Sequence, residues 1–440
     1  MTLDWSADSI GERKKAGRVI AASVIGNALE WFDFIVYALL AGTISKLFFP
    51  SDDPMTSILL GFATFGIAFV ARPIGGIVFG LYADRHGRKK ALGLIFVMMA
   101  VATGMVAFLP TYAAIGIAAP ALLLICRMLQ GFSAGGEFGS ATAVLIEFAP
   151  RGSKGFFGSL QMCSQALAVV AAAVFVFLLS RNLSPADFES WGWRMPFLAG
   201  AIVGPIGFYF RTRLSETPEF ERAVKAEASA ASVPLPAMIK RHRVELLAAI
   251  GLFAAVTGPN YVNTVYMPSI AIARHGVAQS DAMLAVLAVA LVMAVLIPVF
   301  GWLADKVSRV NLAISGMAGT AVMYSVLFPF YMAAPSATSF LWLQLGYAAA
   351  YAALVGASCT LAIEHFPVLA RATGGATGYN IATMVFGGMC PFWLALLDKA
   401  GGTYAPMIYI VVTMGIGIFG AVLLGRQSEG SARRAQIGGG

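Results

Sequence analysis

Twelve stretches of this chain are long and apolar enough to cross a lipid bilayer as helices, and no other feature limits the fold as strongly. They lie at about 19–42, 56–80, 91–109, 115–146, 156–179, 196–211, 244–270, 282–302, 311–332, 339–363, 373–398 and 404–424. A helix needs about 20 apolar residues to span the hydrocarbon core. Only 12% of the residues are charged and 59% are hydrophobic, against roughly 25% charged in a soluble domain. A soluble core cannot hide that much apolar surface, so lipid must be the solvent. No segment alternates with period two, which excludes a membrane barrel and leaves helices. The expectation is an all-α membrane protein of twelve transmembrane helices in two six-helix bundles.

The excess of basic residues orients this bundle. If the N-terminus is placed inside, 23 of the 30 Lys and Arg fall in the tails and the loops on that same side. Five lie on the other side (Lys46, Arg181, Arg194, Arg274 and Lys399), and two, Arg72 and Arg127, lie within spans. This is the positive-inside pattern, and it predicts cytoplasmic termini in a bacterial inner membrane. The formal net charge of +8 is thereby used up in topology, and no nucleic-acid partner is expected. The basic start of the chain runs directly into the first span, with no short apolar segment and cleavage site before it, so a cleaved signal is not expected. Cys126, Cys163, Cys359 and Cys390 all fall within spans and none has CxxC spacing. They read as small apolar filler, with no metal and no disulfide.

The organisation is a repeat. A cytoplasmic tail at 1–18 precedes a first six-helix bundle over 19–211. A charged, Ala/Ser/Pro-rich linker occupies 212–243, a second bundle 244–424, and a tail 425–440. The loop GLYADRHGRKK at 80–90 is echoed by GWLADKVSR at 301–309, with a constant offset of 221. Glu147 and Pro150 are echoed by Glu364 and Pro367, offset 217. Six spans per repeat preserve orientation. The halves are therefore parallel repeats about an axis along the membrane normal, with substrate expected near midplane between them.

The loop at 80–90 resembles the signature G-x-x-x-D-R-x-G-R-[RK]-[RK] of the major facilitator superfamily and matches it completely. GNALEWFDF at 26–34, RPIGG at 72–76, RMLQGFSAGGEFG at 127–139, WGWRMPF at 191–197 and ETP at 216–218 resemble its metabolite:proton symporter branch. The match covers about 26–220 and is looser in the second half. The resemblance implies the major facilitator fold, alternating access, and a substrate such as citrate, another di- or tricarboxylate, 2-oxoglutarate, shikimate, proline or betaine. Osmosensing members carry a long C-terminal coiled coil; this chain ends in GRQSEGSARRAQIGGG without heptads. Drug:proton antiporters usually show GPxxGG in the fifth span, which here reads GSLQMCSQALAVV.

An ionisable group at membrane depth costs about 2.5–3.5 kcal/mol on insertion scales, so it persists where it faces a cavity or a partner. Asn27, Glu30, Asp33 and Tyr37 share one face of the first span. A carboxyl there, Glu30 or Asp33, is a candidate for carrying the coupled proton, with Arg127 as its electrostatic partner. The competing reading is a structural polar stripe. Arg72, Arg127 and Gln130 are candidates for gripping a substrate carboxylate, because a guanidinium offers a bidentate fork. Gln161, Gln165, Asn260, Asn263, Tyr266, Tyr347, Tyr351 and Asn380 would add directional hydrogen bonds to substrate, although each is individually more often a packing residue. Asp84, Arg85, Arg88, Glu137, Glu147, Asp305, Arg309 and Glu364 are expected to gate, with Asp84 pairing to Arg88 across helices.

The GFSAG segment at 131–135 fits a hydrolase elbow only in a strand–turn–helix context, and here it lies inside an apolar helix, so no enzyme is expected. No P-loop occurs, so transport is expected to be driven by an ion gradient or by the substrate's own gradient rather than by ATP. No cofactor is expected. The partners are a small organic anion, a proton and the bilayer, and the protein is expected to be a monomer. The reading is a proton-coupled symporter of a small organic acid. The first alternative is a proton symporter of a zwitterion such as betaine or proline. The alternative of another class is an uncoupled facilitator or channel.

Overall fold

The computed structural model describes residues 10–86, 88–150, 152–202, 240–366 and 368–437. Every regular element among them is helical. Eight helices are long and apolar enough to cross a membrane, or nine if the two bent parts of the first span count as one. The third and fourth spans appear as shorter apolar helices, Val97–Phe108 and Ala118–Ser133. Most of the expected sixth span, 196–211, and most of the linker lie outside the described residues.

The first helix starts earlier than hydropathy suggests. It runs over Ile10–Leu39, then turns by 60° into Ala41–Phe48. Its added turns hold Glu12, Arg13, Lys14, Lys15 and Arg18, residue types that form helices readily but do not register as an apolar span. Past the turn, Ser45 Oγ donates back to Ala41 O at 2.6 Å, a bond that favours bending.

Several other spans are interrupted where the sequence suggested continuous helices. The fourth breaks between Ala118–Ser133 and Glu137–Glu147 at a tight turn, Ala134–Gly136. Paired glycines are poor helix formers, and the carbonyls at this break are claimed by other spans. Arg72 Nη2 donates to Ala134 O (3.3 Å) and Asn380 Nδ2 to Gly135 O (2.7 Å). The seventh span passes from Arg243–Tyr261 through a π-helical turn, Val262–Tyr266, into Met267–Ala273, with Pro259 before the turn and Pro268 after it. The eleventh has a second π-turn, Thr383–Gly388, followed by Pro391. There the hydroxyl of Tyr409 donates to Phe386 O at 2.8 Å.

Close approach of the second and fourth spans requires glycine. A Cβ at Gly131 would stand 1.8 Å from Ala68 O, and one at Gly75 1.7 Å from Phe132 O. The halves meet where the fifth span, Lys154–Asn182, packs along the eighth, Gln279–Leu303, and where Glu137–Glu147 packs on the eleventh.

Candidate functional site

Where the halves meet, a cavity of about 70 Å³ opens among the first, fifth, seventh, eighth, tenth and eleventh spans. Its polar wall is aromatic and amide: Trp31, Gln165, Asn260, Tyr261, Asn263, Gln344, Tyr347, Tyr351 and Tyr379. The interruptions place this chemistry. Asn263 and Thr264 sit on the π-turn of the seventh span, and Tyr347 sits at the joint between Ala337–Gly346 and Ala348–Ile363. Asn263 is held on three sides. Its Nδ2 donates to Pro259 O (2.9 Å), its Oδ1 accepts from Tyr324 (3.2 Å), and its carbonyl accepts from Gln344 (3.0 Å). Tyr351 donates to Val256 O, and Gln165 reaches the Tyr379 hydroxyl at 3.4 Å. The hydroxyl of Tyr261 has no partner.

Of the residues expected to bind substrate, Gln165, Asn260, Asn263, Tyr347 and Tyr351 line this cavity. Asn27, Tyr37, Arg72, Arg127, Gln130, Gln161, Tyr266 and Asn380 stand outside its wall. Asn27 and Gln161 bond to each other (3.0 Å) and, with Ser164, tie the first span to the fifth. Tyr266 packs against Phe62, with ring centroids 6.0 Å apart. Arg72 lies directly behind the wall. Its guanidinium carbon is 5.2 Å from the Trp31 ring centroid, 5.4 Å from that of Phe34 and 5.6 Å from that of Phe69. It is within electrostatic range of Tyr261 and Tyr379. It is 1% exposed, and its Nε and Nη1 have no partner.

A polar column fills the first bundle beside the cavity. Arg127 stacks on Tyr37, 4.1 Å from its ring centroid, and donates to Gln130 Oε1 at 2.7 Å. Gln130 Nε2 donates to Thr103 at 2.8 Å, and Thr103 donates to Asp33 Oδ2 at 2.7 Å. The expected carboxylate partner of Arg127 is thus reached through two intervening side chains. Glu30, about one turn before Asp33 on the first span, is buried, and its Oε2 has no partner.

On the side of the basic loops the halves are latched. Asp305 accepts from the backbone N–H of Gly155 (2.6 Å) and Phe156 (2.9 Å) in the first turn of the fifth span. An anion is well placed at such a helix start. Arg309 holds Asp305 (3.1 Å) and also pairs with Glu364. Lys154 reaches Glu364 at 3.3 Å, and Arg371 reaches Glu147 at 3.6 Å. The side chains of Asp84, Arg85, Arg88 and Glu137 lie outside the described residues, and the expected Asp84–Arg88 pair with them. On the opposite face Lys399 bonds Asp53 (2.7 Å) and Thr56 (2.8 Å) across the halves. These bonds hold the exposed Asp53 carboxyl down at about 2.

Trp31, Tyr379, Thr103, Lys154, Arg371 and the Asp53–Lys399 latch were not singled out from sequence. An aromatic or threonine in a span carries no mark that separates wall from packing, and loop charges match partners only once the halves are docked.

Comparison with known proteins places the chain. The family model for sugar (and other) transporters matches residues 19–236. The proline/betaine transporter of Salmonella typhimurium is 32% identical over 415 residues, covering 92% of this chain and 82% of that protein. The citrate-proton symporter of Klebsiella pneumoniae is 34% identical over 415 residues, covering 93% and 92%. Among solved structures, the proton:xylose symporter XylE bound to 6-bromo-6-deoxy-D-glucose superposes with a TM-score of 0.76 at 18% identity, covering 94% of this chain and 96% of that one.

Proposed function

Because this chain belongs to the major facilitator superfamily, in its metabolite:proton symporter branch, and is a multi-pass transporter rather than an enzyme, we propose that it is a proton-coupled symporter of a small zwitterion of the proline or betaine type. One observation carries the substrate reading. The cavity wall is aromatic and amide, with a single guanidinium, Arg72, directly behind it. A quaternary or secondary ammonium group is attracted to the faces of Trp31, Tyr347, Tyr351 and Tyr379. Its carboxylate finds the unpartnered hydroxyl of Tyr261 in the wall and is drawn toward Arg72, which stands behind the wall with two unpartnered nitrogens. A buried guanidinium without an anion is costly, so a bound carboxylate relieves it.

The organic-acid reading from sequence rested on two arginines. The two differ in place and not in satisfaction: each makes one hydrogen bond and keeps two unpartnered nitrogens, but Arg72 stands against the wall residue Trp31 while Arg127 stacks on Tyr37, which is not in the wall. One guanidinium suits one carboxylate, not the two or three of a di- or tricarboxylate. The proline/betaine relatives support the same choice, while the citrate relative keeps citrate as the comparison substrate.

The proton site in this reading is Asp33, buried, with one oxygen bonded to Thr103 and the other unpartnered. The two bundles, 19–211 and 244–424, rock about the cavity, with both termini in the cytoplasm and the chain in a bacterial inner membrane. The test is uptake into proteoliposomes of labelled betaine, proline and citrate, with and without an inward proton gradient. Gradient-stimulated accumulation of betaine or proline, and little of citrate, is expected. Accumulation of citrate alone returns the organic-acid reading; equilibration without response to the gradient makes the protein a facilitator.

A further inference from the structure

Asp33 and Arg127 are more than two opposite charges in one bundle. Among the described residues they form no ion pair. A chain of three hydrogen bonds joins them instead: Arg127 Nη1 to Gln130 Oε1 (2.7 Å), Gln130 Nε2 to Thr103 Oγ1 (2.8 Å), and Thr103 Oγ1 to Asp33 Oδ2 (2.7 Å). The members come from three spans. Their exposures are 0% for Arg127, 1% for Gln130, 0% for Thr103 and 5% for Asp33, so water does not compete.

The chemistry fixes the direction of every bond. Arginine has donors only, so the amide oxygen of Gln130 must face it. The Gln130 NH₂ then faces Thr103, whose oxygen must accept. The single proton of the Thr103 hydroxyl is left for Asp33. All three bonds run from cation to carboxylate, and bonds so aligned polarise one another. The other carboxylate oxygen, Oδ1, has no hydrogen-bond partner and rests against Gly200, where an added Cβ would stand 2.0 Å away. Oδ1 is therefore the atom free to take a proton while Oδ2 keeps Thr103.

We infer that Thr103 is a positioning residue that transmits the protonation state of Asp33 to Arg127 through Gln130. The inference rests on the proton-symport reading above and deepens it. A proton arriving on Oδ1 neutralises the acceptor end of the chain, and all three bonds weaken together. Arg127 is then left with the Tyr37 ring as its nearest favourable contact, and the fourth span is released from the first and third. Groups facing Asp33 are few. Arg127 is the charged group across from it, Thr103 is neutral, Gly200 offers none, and on its own helix Glu30 and Tyr37 stand about one turn to either side.

Thr103→Val keeps the shape and removes the hydroxyl; Thr103→Ser restores it. Proteoliposomes would be assayed with labelled betaine for gradient-driven accumulation, for counterflow exchange, and for the external pH at half-maximal uptake. For Thr103→Val, accumulation is expected to fall about tenfold or more, with exchange falling less than about threefold. The half-maximal pH should move by about one unit to the alkaline side, since the ionised carboxylate has lost its donor. Thr103→Ser should return all three measures toward the parent. A Thr103→Val protein that accumulates betaine like the parent with the same pH profile overturns the relay. So does one that loses exchange and accumulation in equal measure and is not rescued by serine. If the parent itself shows no response to the gradient, the symport reading has failed, and that result is separate from any variant.

Discussion

Arg72 and Arg127 look equivalent along the chain, and what distinguishes them is the company each keeps. Arg72 is ringed by Trp31, Phe34 and Phe69 and spends one nitrogen on the Ala134 carbonyl. Arg127 stacks on Tyr37 and spends one nitrogen on Gln130, away from the wall residue Trp31 that Arg72 stands against. Arg72→Lys should therefore weaken betaine binding at least about tenfold, because an ammonium loses the planar fork and the stacking. Isothermal titration on the purified protein checks this, and binding equal to the parent would remove Arg72 from the carboxylate site. Tyr351→Ala should also weaken betaine binding, with little effect on the acid comparison solute, because it removes a cation-attracting ring face rather than an anion partner. Asp33→Asn should abolish gradient-driven accumulation while exchange continues, since exchange needs no net proton movement. An Asp33→Asn protein that still concentrates substrate would take Asp33 off the proton path.

At the scale of elements, hydropathy located the membrane spans well, because lipid forces each helix to satisfy its own backbone and so leaves a long apolar record. The breaks left a fainter record. Gly135 and Gly136, and Pro259, Pro268 and Pro391, are visible as residues, yet a kink and a straight packed helix share that composition. The break of the fourth span depends on Arg72 and Asn380, far away in sequence, to take its carbonyls. The glycines of GFSAGG lie where the second span comes close. Gly131→Val tests that contact. Its Cβ would fall 1.8 Å from Ala68 O, so the two spans must separate, at an overpacking cost of about 1–3 kcal/mol. A lowered unfolding temperature in detergent is expected, and an unchanged one would mean that the contact is looser than described.

For the whole molecule, both faces are latched at once, and in the orientation proposed above the outer and inner latches differ in kind. The outer one is an exposed ion pair, Lys399 with Asp53, of a sort that salt screens and long side chains weaken. The inner one seats the 4%-exposed Asp305 carboxylate on two backbone N–H groups and is braced by Arg309, with Glu364, Lys154, Glu147 and Arg371 beside it. Buried charge-assisted hydrogen bonds are worth about 1.5–3 kcal/mol each, so the inner latch should dominate the balance of states. The outer pair also cannot serve as a proton sensor. Its carboxyl is held low, at about 2, chiefly by Lys399. Its contribution is therefore complete above the ordinary carboxyl range near 4 and is lost only as pH falls from there through about 2. Lys399→Gln should thus shift the population toward outward-open by a few-fold, and the shift should shrink in high salt. Asp305→Asn should shift it the other way, by tenfold or more, with little salt dependence. The four native cysteines are buried, so spin labels at engineered loop cysteines can report both distances by pulsed electron resonance. Equal and opposite shifts of the same size, or a salt-sensitive Asp305→Asn effect, would show that the inner latch is held by its surface charges and not by the seated carboxylate.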